Sequence, residues 1–160
     1  MAGYRKPMTV QGKALLEKEL KHLVEVERPK IISAIEVARG HGDLSENADY
    51  SAAKERQAHI EGRIATISDT LSNADVVDTS QIRSNKITFG AYVRIEEDTS
   101  DKEKLYQIVG EDEADVNQGK ISINSPLARS LIGRKAGEEF EFHSPGGGEK
   151  IYHILEFYFK

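Results

Sequence analysis

The spacing of hydrophobic positions changes near the middle of the chain. Tyr50, Ala53, Gln57, Ile60, Ile64, Ile67, Leu71 and Ala74 follow alternating steps of three and four, with Gln57 as the polar interruption. This is the seam pattern of a coiled coil. Upstream, Leu16, Leu20 and Leu23 keep the same steps, as do Ile31, Ile35 and Ala38, but Leu23 and Ile31 are eight residues apart. A heptad would need seven, so the phase slips by one, and we place the slip at Glu27-Arg28-Pro29. Proline removes a backbone donor and crowds the preceding turn, which distorts or interrupts a helix. The pattern predicts a first helix starting near Thr9, a candidate N-cap, that keeps its direction but is distorted near Pro29; two separate helices are the alternative. The segment Gly40-His41-Gly42-Asp43-Leu44-Ser45-Glu46-Asn47 holds two glycines suited to ending a helix. So short a link makes its flanking helices antiparallel neighbours. The expected result is a helical hairpin from about Thr9 to Asn73, with arms of roughly 45 Å at 1.5 Å per residue.

Beyond Asn73 the period shortens. Ile87–Ile95, Lys104–Val109, Lys120–Ile123, Glu138–His143 and Lys150–Phe159 are rich in Val, Ile, Phe and Tyr and are predicted strands. Ser144-Pro145-Gly146-Gly147-Gly148 is a turn between the last two. Ser125 to Leu131 has the form of a short helix, with Ser125 as N-cap, Pro126 at its first position and Gly133 beyond its end. The polar run Asp78 to Lys86 is the expected linker. The fold class is therefore α+β in two domains: residues 1–78 form a coiled-coil hairpin with an acidic tip, and residues 79–160 form a small α+β domain.

Composition narrows the function. Of the 160 residues 38% are hydrophobic and 31% charged, with a net charge of −5, so the chain has no global attraction for nucleic acid. Contact with nucleic acid must be local or pass through a protein partner. The absence of cysteine excludes disulfides, zinc–thiolate centres and cysteine nucleophiles. Met1 to Met8 lacks the apolar core of a secretory signal, and no stretch approaches the roughly 20 apolar residues of a membrane helix. A cytoplasmic protein without a membrane partner is expected.

The candidate chemistry lies at the link between the helices. Asp43 and Glu46 are three apart and Asp49 follows. One reading is a variant capping box, with Asp43 as N-cap and Glu46 at the third helical position, favoured also by the helix dipole. The other reading uses their position at the end of a long hairpin, where two carboxylates help hold a hard cation if another protein supplies the remaining ligands. Metal-assisted hydrolysis of a phosphodiester needs such a metal and its water. Arg39, Lys54 and Arg56 lie near the tip as solvated surface charges or as a local patch for an RNA backbone. His41 reads as a solvated loop residue. The acidic run Glu111, Asp112, Glu113 and Asp115 lacks calcium-loop spacing and reads as a solvated turn. Too few ligands converge for an autonomous metal nuclease, and a chain without tryptophan is a poor candidate for a prolyl isomerase pocket.

The tip run Gly42-Asp43-Leu44-Ser45-Glu46-Asn47-Ala48-Asp49-Tyr50 resembles the signature of the Gre family of bacterial transcript-cleavage (transcription elongation) factors. So do Arg28-Pro29-Lys30-Ile31, Ala38-Arg39, Phe89-Gly90-Ala91, Ile108 to Asp115, Ile121 to Pro126 and Leu131-Ile132-Gly133. Ala52-Ala53-Lys54-Glu55 resembles the GreA branch more than the more basic GreB, while Ser45 stands where some members carry lysine. The likeness runs from Met8 to Phe159. It implies a C-terminal domain of FKBP-like fold, without isomerase activity, that docks on the rim of the RNA polymerase secondary channel. We place that contact near Asn124, Ser125 and Pro126. It also implies that the hairpin enters the channel, where Asp43 and Glu46 act as the catalytic and metal-holding carboxylates in complex with polymerase. They would share Mg2+ with the polymerase active site. Arg39 and Lys54 match the family's basic patch facing the nascent RNA 3′ segment. The implied activity is stimulation of the polymerase's own cleavage of backtracked RNA, so the chain itself is not the enzyme.

Overall fold

A computed structural model describes residues 5–42 and 47–160. The chain forms two compact units: residues 11–74, and residues 75–160 together with 5–10. In order come strand β1 (Lys6–Thr9), helix α1 (Val10–His22), one π-helical turn (Leu23–Glu27), helix α2 (Arg28–Arg39) and helix α3 (Ala48–Ser72). Strands β2 (Ala74–Val77), β3 (Tyr92–Glu97), β4 (Glu103–Val109) and β5 (Lys120–Ser122) follow, then helix α4 (Pro126–Leu131) and strands β6 (Glu139–His143) and β7 (Glu149–Tyr158).

The first unit is a helical hairpin. Ala53, Ile60 and Ile67 of α3 are buried, with Tyr50, Gln57, Ile64 and Leu71 half-buried between them. Opposite, Ile35 and Ala38 are buried, and Leu16, Leu20, Leu23 and Ile31 are half-buried. The seam therefore follows the heptad read from the sequence. Two bidentate ion pairs cross between the arms: Arg28 donates to Glu61 at 2.7 and 2.8 Å, and Arg63 donates to Glu19 at 2.5 and 2.9 Å.

The phase slip has a structural form. It sits one turn earlier than the proline itself, in the π-helical residues Leu23–Glu27, where Arg28 N–H reaches back to the Leu23 carbonyl. A π turn accommodates one extra residue, the one by which Leu23 and Ile31 exceed a heptad. Pro29 then falls at the start of α2, directly after the π turn. The first arm thus runs without interruption from Val10 to Arg39 and is distorted near Pro29, as expected, rather than broken into separate helices.

The second unit is built on a five-stranded sheet in the order β5-β4-β3-β7-β6. All neighbouring pairs are antiparallel except β4 with β5. Val93, Ile95, Ile108, Ile121, Phe140 and Ile154 of the sheet bury one face against Ala128 and Leu131 of α4. Helix α4 starts as expected: the Ser125 hydroxyl accepts from Ala128 N–H at 3.2 Å, with Pro126 at the first position.

Three expectations for this unit change. Ile87 to Ala91 is not strand, because Gly90 turns the chain at φ +88° and lies against the Thr79 side chain, leaving no room for a Cβ. The supposed linker contains a 3-10 turn, Thr79–Gln81, capped by Asp78, with Thr79 buried and donating its hydroxyl to the Lys160 carbonyl at 2.7 Å. The strands β1 and β2, which pair with each other, were not expected at all.

Candidate functional site

Helix α2 ends in tightening turns: Gly40 N–H bonds to the Glu36 and Val37 carbonyls, His41 N–H to Ala38 and Gly42 N–H to Arg39. Gly42 then takes φ +100°, a conformation open to glycine at little cost. The next residues, including the candidate carboxylates Asp43 and Glu46, lie outside the described residues. Among the described residues of the turn, Asn47 makes two side-chain contacts. Its side-chain oxygen accepts from Tyr50 N–H at 3.0 Å, and its side-chain nitrogen donates to the Ala38 carbonyl at 2.7 Å. One side chain thereby caps α3 and ties it to the end of α2. The N-cap of α3 is Asn47; the capping-box reading of Asp43 with Glu46 falls outside the described residues.

Small side chains surround the turn. Ala34, Val37, Ala38, His41, Asp49, Ala52 and Ala53 line a groove of about 340 Å³. His41 Nδ1 lies 3.9 Å from the Asp49 carboxylate. Of the three candidate cations, Arg56 is directed to Glu27 at 3.6 Å, and Lys54 donates to Gln57 at 3.2 Å. Arg39 is exposed and forms no ion pair with any described residue.

The second candidate surface is the loop leading into α4. Asn124 and Pro126 are exposed and Ser125 is half-buried. Asn124 donates to Glu111 at 3.0 Å, and Glu111 also pairs with Lys6 of β1. Hydrogen bonds from Lys6 and then Asn124 hold the Glu111 carboxyl below the usual range. The acidic run is therefore not simply a solvated turn. Glu113 accepts from Gly110 N–H at 2.9 Å, from Thr9 N–H at 3.0 Å and from the Thr9 hydroxyl. Asp115 caps the 3-10 turn Val116–Gln118. Three of these carboxylates fasten β1 and the loops; no such role was legible from their spacing.

Residues 6–76 match the family description "Transcription elongation factor, N-terminal", and residues 82–159 match "Transcription elongation factor, GreA/GreB, C-term". The chain belongs to the GreA/GreB family. A transcription elongation factor GreA of Hyphomonas neptunium is 53% identical over 156 residues, covering 98% of this chain and 99% of that one. That of Beijerinckia indica is 53% identical over 154 residues, covering 96% and 98%. Among solved structures, the GreA factor homolog 1 of Thermus thermophilus is 24% identical, covers 96% of this chain and 99% of that one, and superposes with a TM-score of 0.44. Both candidate surfaces of this GreA/GreB member fall within matched regions: the helix turn in the N-terminal one and the loop before α4 in the C-terminal one. Asn47 is the turn residue that sequence reasoning missed. Its signal was present, since Asn is a preferred N-cap, but Asp43 and Ser45 compete for the role within the same short run.

Proposed function

We propose that this GreA/GreB member binds bacterial RNA polymerase and stimulates the polymerase's own cleavage of backtracked nascent RNA, which restores arrested complexes. The loop Asn124-Ser125-Pro126 docks on the rim of the secondary channel, and the hairpin turn enters it. There Asp43 and Glu46 join the polymerase active site, and Arg39 and Lys54 face the RNA 3′ segment. Mg2+ shared with the polymerase would supply a metal-bound water for phosphodiester hydrolysis. The contribution of this chain is two carboxylates, which help hold the cation or orient the water.

The observation that carries this reading is the cap at Asn47. Asn47 caps α3, so the role proposed for Asp43 and Glu46 does not draw on that cap. The exposed Arg39, unpaired with any described residue, adds a local cation to a chain of net charge −5.

The test is a cleavage assay on stalled elongation complexes. Asp43→Asn and Glu46→Gln remove charge while nearly keeping size, so helix content should hold. Stimulation should fall by orders of magnitude with polymerase binding retained, the signature of groups that act mainly in the transition state. Wild-type stimulation by both variants sinks the proposal. The protein with RNA and Mg2+ but no polymerase should leave the RNA intact.

A further inference from the structure

The hairpin joining β6 to β7 carries a donor set that the proposed transcription role does not use. His143 stands opposite Glu149 in the strand register, and Glu141 stands opposite Ile151. Side chains alternate across a sheet, so Glu141, His143 and Glu149 share one face, and all three are exposed. Each offers one nitrogen or oxygen donor, and these atoms all lie within 4.8 Å of one another. Three points so spaced share a centre at most about 2.8 Å from each, against zinc–ligand bonds of about 2.0–2.2 Å. Closing the gap takes a movement of well under an ångström from each exposed side chain. His143 Nδ1 is already 3.4 Å from Glu149 Oε1, which matches the roughly 3.3–3.4 Å between two ligands of a tetrahedral zinc ion.

Among the described residues, no lysine or arginine pairs with the cluster. Lys150 alternates to the other face and pairs with Glu97 at 3.6 Å, and Arg134 pairs with Glu138 at 3.8 Å. Next to the cluster, Gly147 and Gly148 turn the chain at φ +96° and +94°.

We propose that Glu141, His143 and Glu149 bind one divalent transition-metal ion of the zinc class, with water completing the shell, and so clip β6 to β7 beside the Ser144–Gly148 turn. The imidazole sets the metal class. Mg2+ and Ca2+ prefer oxygen ligands alone, whereas one imidazole with two carboxylates suits zinc and its neighbours. The site is thus chemically distinct from the shared Mg2+ proposed for the helix turn.

Titration of the chelator-treated full chain with zinc chloride, followed by calorimetry and amide NMR, tests this directly. One ion should bind per chain, with the largest shifts between Glu141 and Ile151, and Mg2+ at the same concentration should produce none there. His143→Ala, Glu141→Gln and Glu149→Gln should each weaken zinc binding at least tenfold, while His153→Ala leaves it unchanged. Glu141, His143 and Glu149 are exposed and His153 is half-buried, with none in the core, so circular dichroism should match the wild type throughout. Undiminished zinc affinity in His143→Ala, shifts centred on His41 or His153, or no binding at millimolar zinc would each overturn the proposal.

Discussion

Asn47 joins two helices with one amide group, and its two bonds are separable by substitution. Asn47→Asp keeps the oxygen that caps Tyr50 N–H but loses the nitrogen that reaches the Ala38 carbonyl. Asn47→Ala loses both, and removal of a cap alone costs about 1 kcal/mol. Thermal unfolding should rank wild type above Asn47→Asp and Asn47→Ala lowest, and Tyr50 should lose amide-exchange protection only in the alanine variant. Equal stability of the three proteins would deny the cap its role. This residue shows where sequence reading stops: cap propensity was visible, but the choice among Asp43, Ser45 and Asn47 depends on a carbonyl nine positions upstream. His153 makes a similar point on the sheet. Its Nε2 lies 2.8 Å from Asp98 and its Nδ1 lies 3.5 Å from Glu139. The hydrogen bond to Asp98, with the charges of Asp98, Glu139 and Glu96, raises its pKa. A raised folded-state pKa gives stability that is complete below the unfolded value and is lost as pH rises through the folded one. An NMR titration should find His153 above the usual histidine range in the wild type and lower in Asp98→Asn.

At the scale of elements, legibility follows the length of the pattern. The α3 seam keeps its period over 25 residues, and no competing reading matches it. The strands β1 and β2 have four residues each, too few for alternation to register, and they exist because they pair with each other. Ile87 to Ala91 reads as strand from its apolar residues, but Gly90 at φ +88° overrides that preference. The phase slip was visible as a count, yet a count does not distinguish a kink from a π turn. Two substitutions test the seam. Ile60 is 2% exposed and Ile32 is 43% exposed. Ile60→Ala should cost about 2–5 kcal/mol through lost burial and a cavity, and Ile32→Ala within about 0.5 kcal/mol. Denaturant unfolding followed by helical dichroism checks both. The ion pairs across the seam predict acid sensitivity. Hydrogen bonds from Arg63 to Glu19 and from Arg28 to Glu61 hold both carboxyls below the usual range. Their contribution is present above the unfolded pKa and is lost as pH falls through the lowered folded values. Exposure keeps each pair weak, so Glu19→Gln with Glu61→Gln should flatten the acid limb of helicity without abolishing the fold at neutral pH.

For the whole molecule, the two candidate surfaces belong to different units, the turn to residues 11–74 and the α4 loop to residues 75–160 with 5–10. Under the proposed function, one unit supplies affinity and the other supplies chemistry, which makes the two activities separable in a mixture. Asp43→Asn should still occupy polymerase, so an excess of it added to wild-type protein should suppress cleavage by competition. Pro126→Glu places a bulky charge at an exposed position at the first turn of α4. There the missing proline ring is tolerated and an acidic side chain suits the helix dipole, so the fold should hold. This variant should bind polymerase weakly, stimulate little by itself and, combined with Asp43→Asn, abolish the competition. Arg39→Ala with Lys54→Ala should keep polymerase binding and lose crosslinking to the RNA 3′ segment, the loss being larger at low salt, where phosphate contacts are strongest. The measurement is cleavage rate against the ratio of variant to wild-type protein at fixed polymerase. If excess Asp43→Asn leaves the wild-type rate unchanged although the variant is folded, affinity does not reside apart from the tip. If the double variant Asp43→Asn with Pro126→Glu still competes as well as Asp43→Asn alone, the docking contact lies away from the loop before α4.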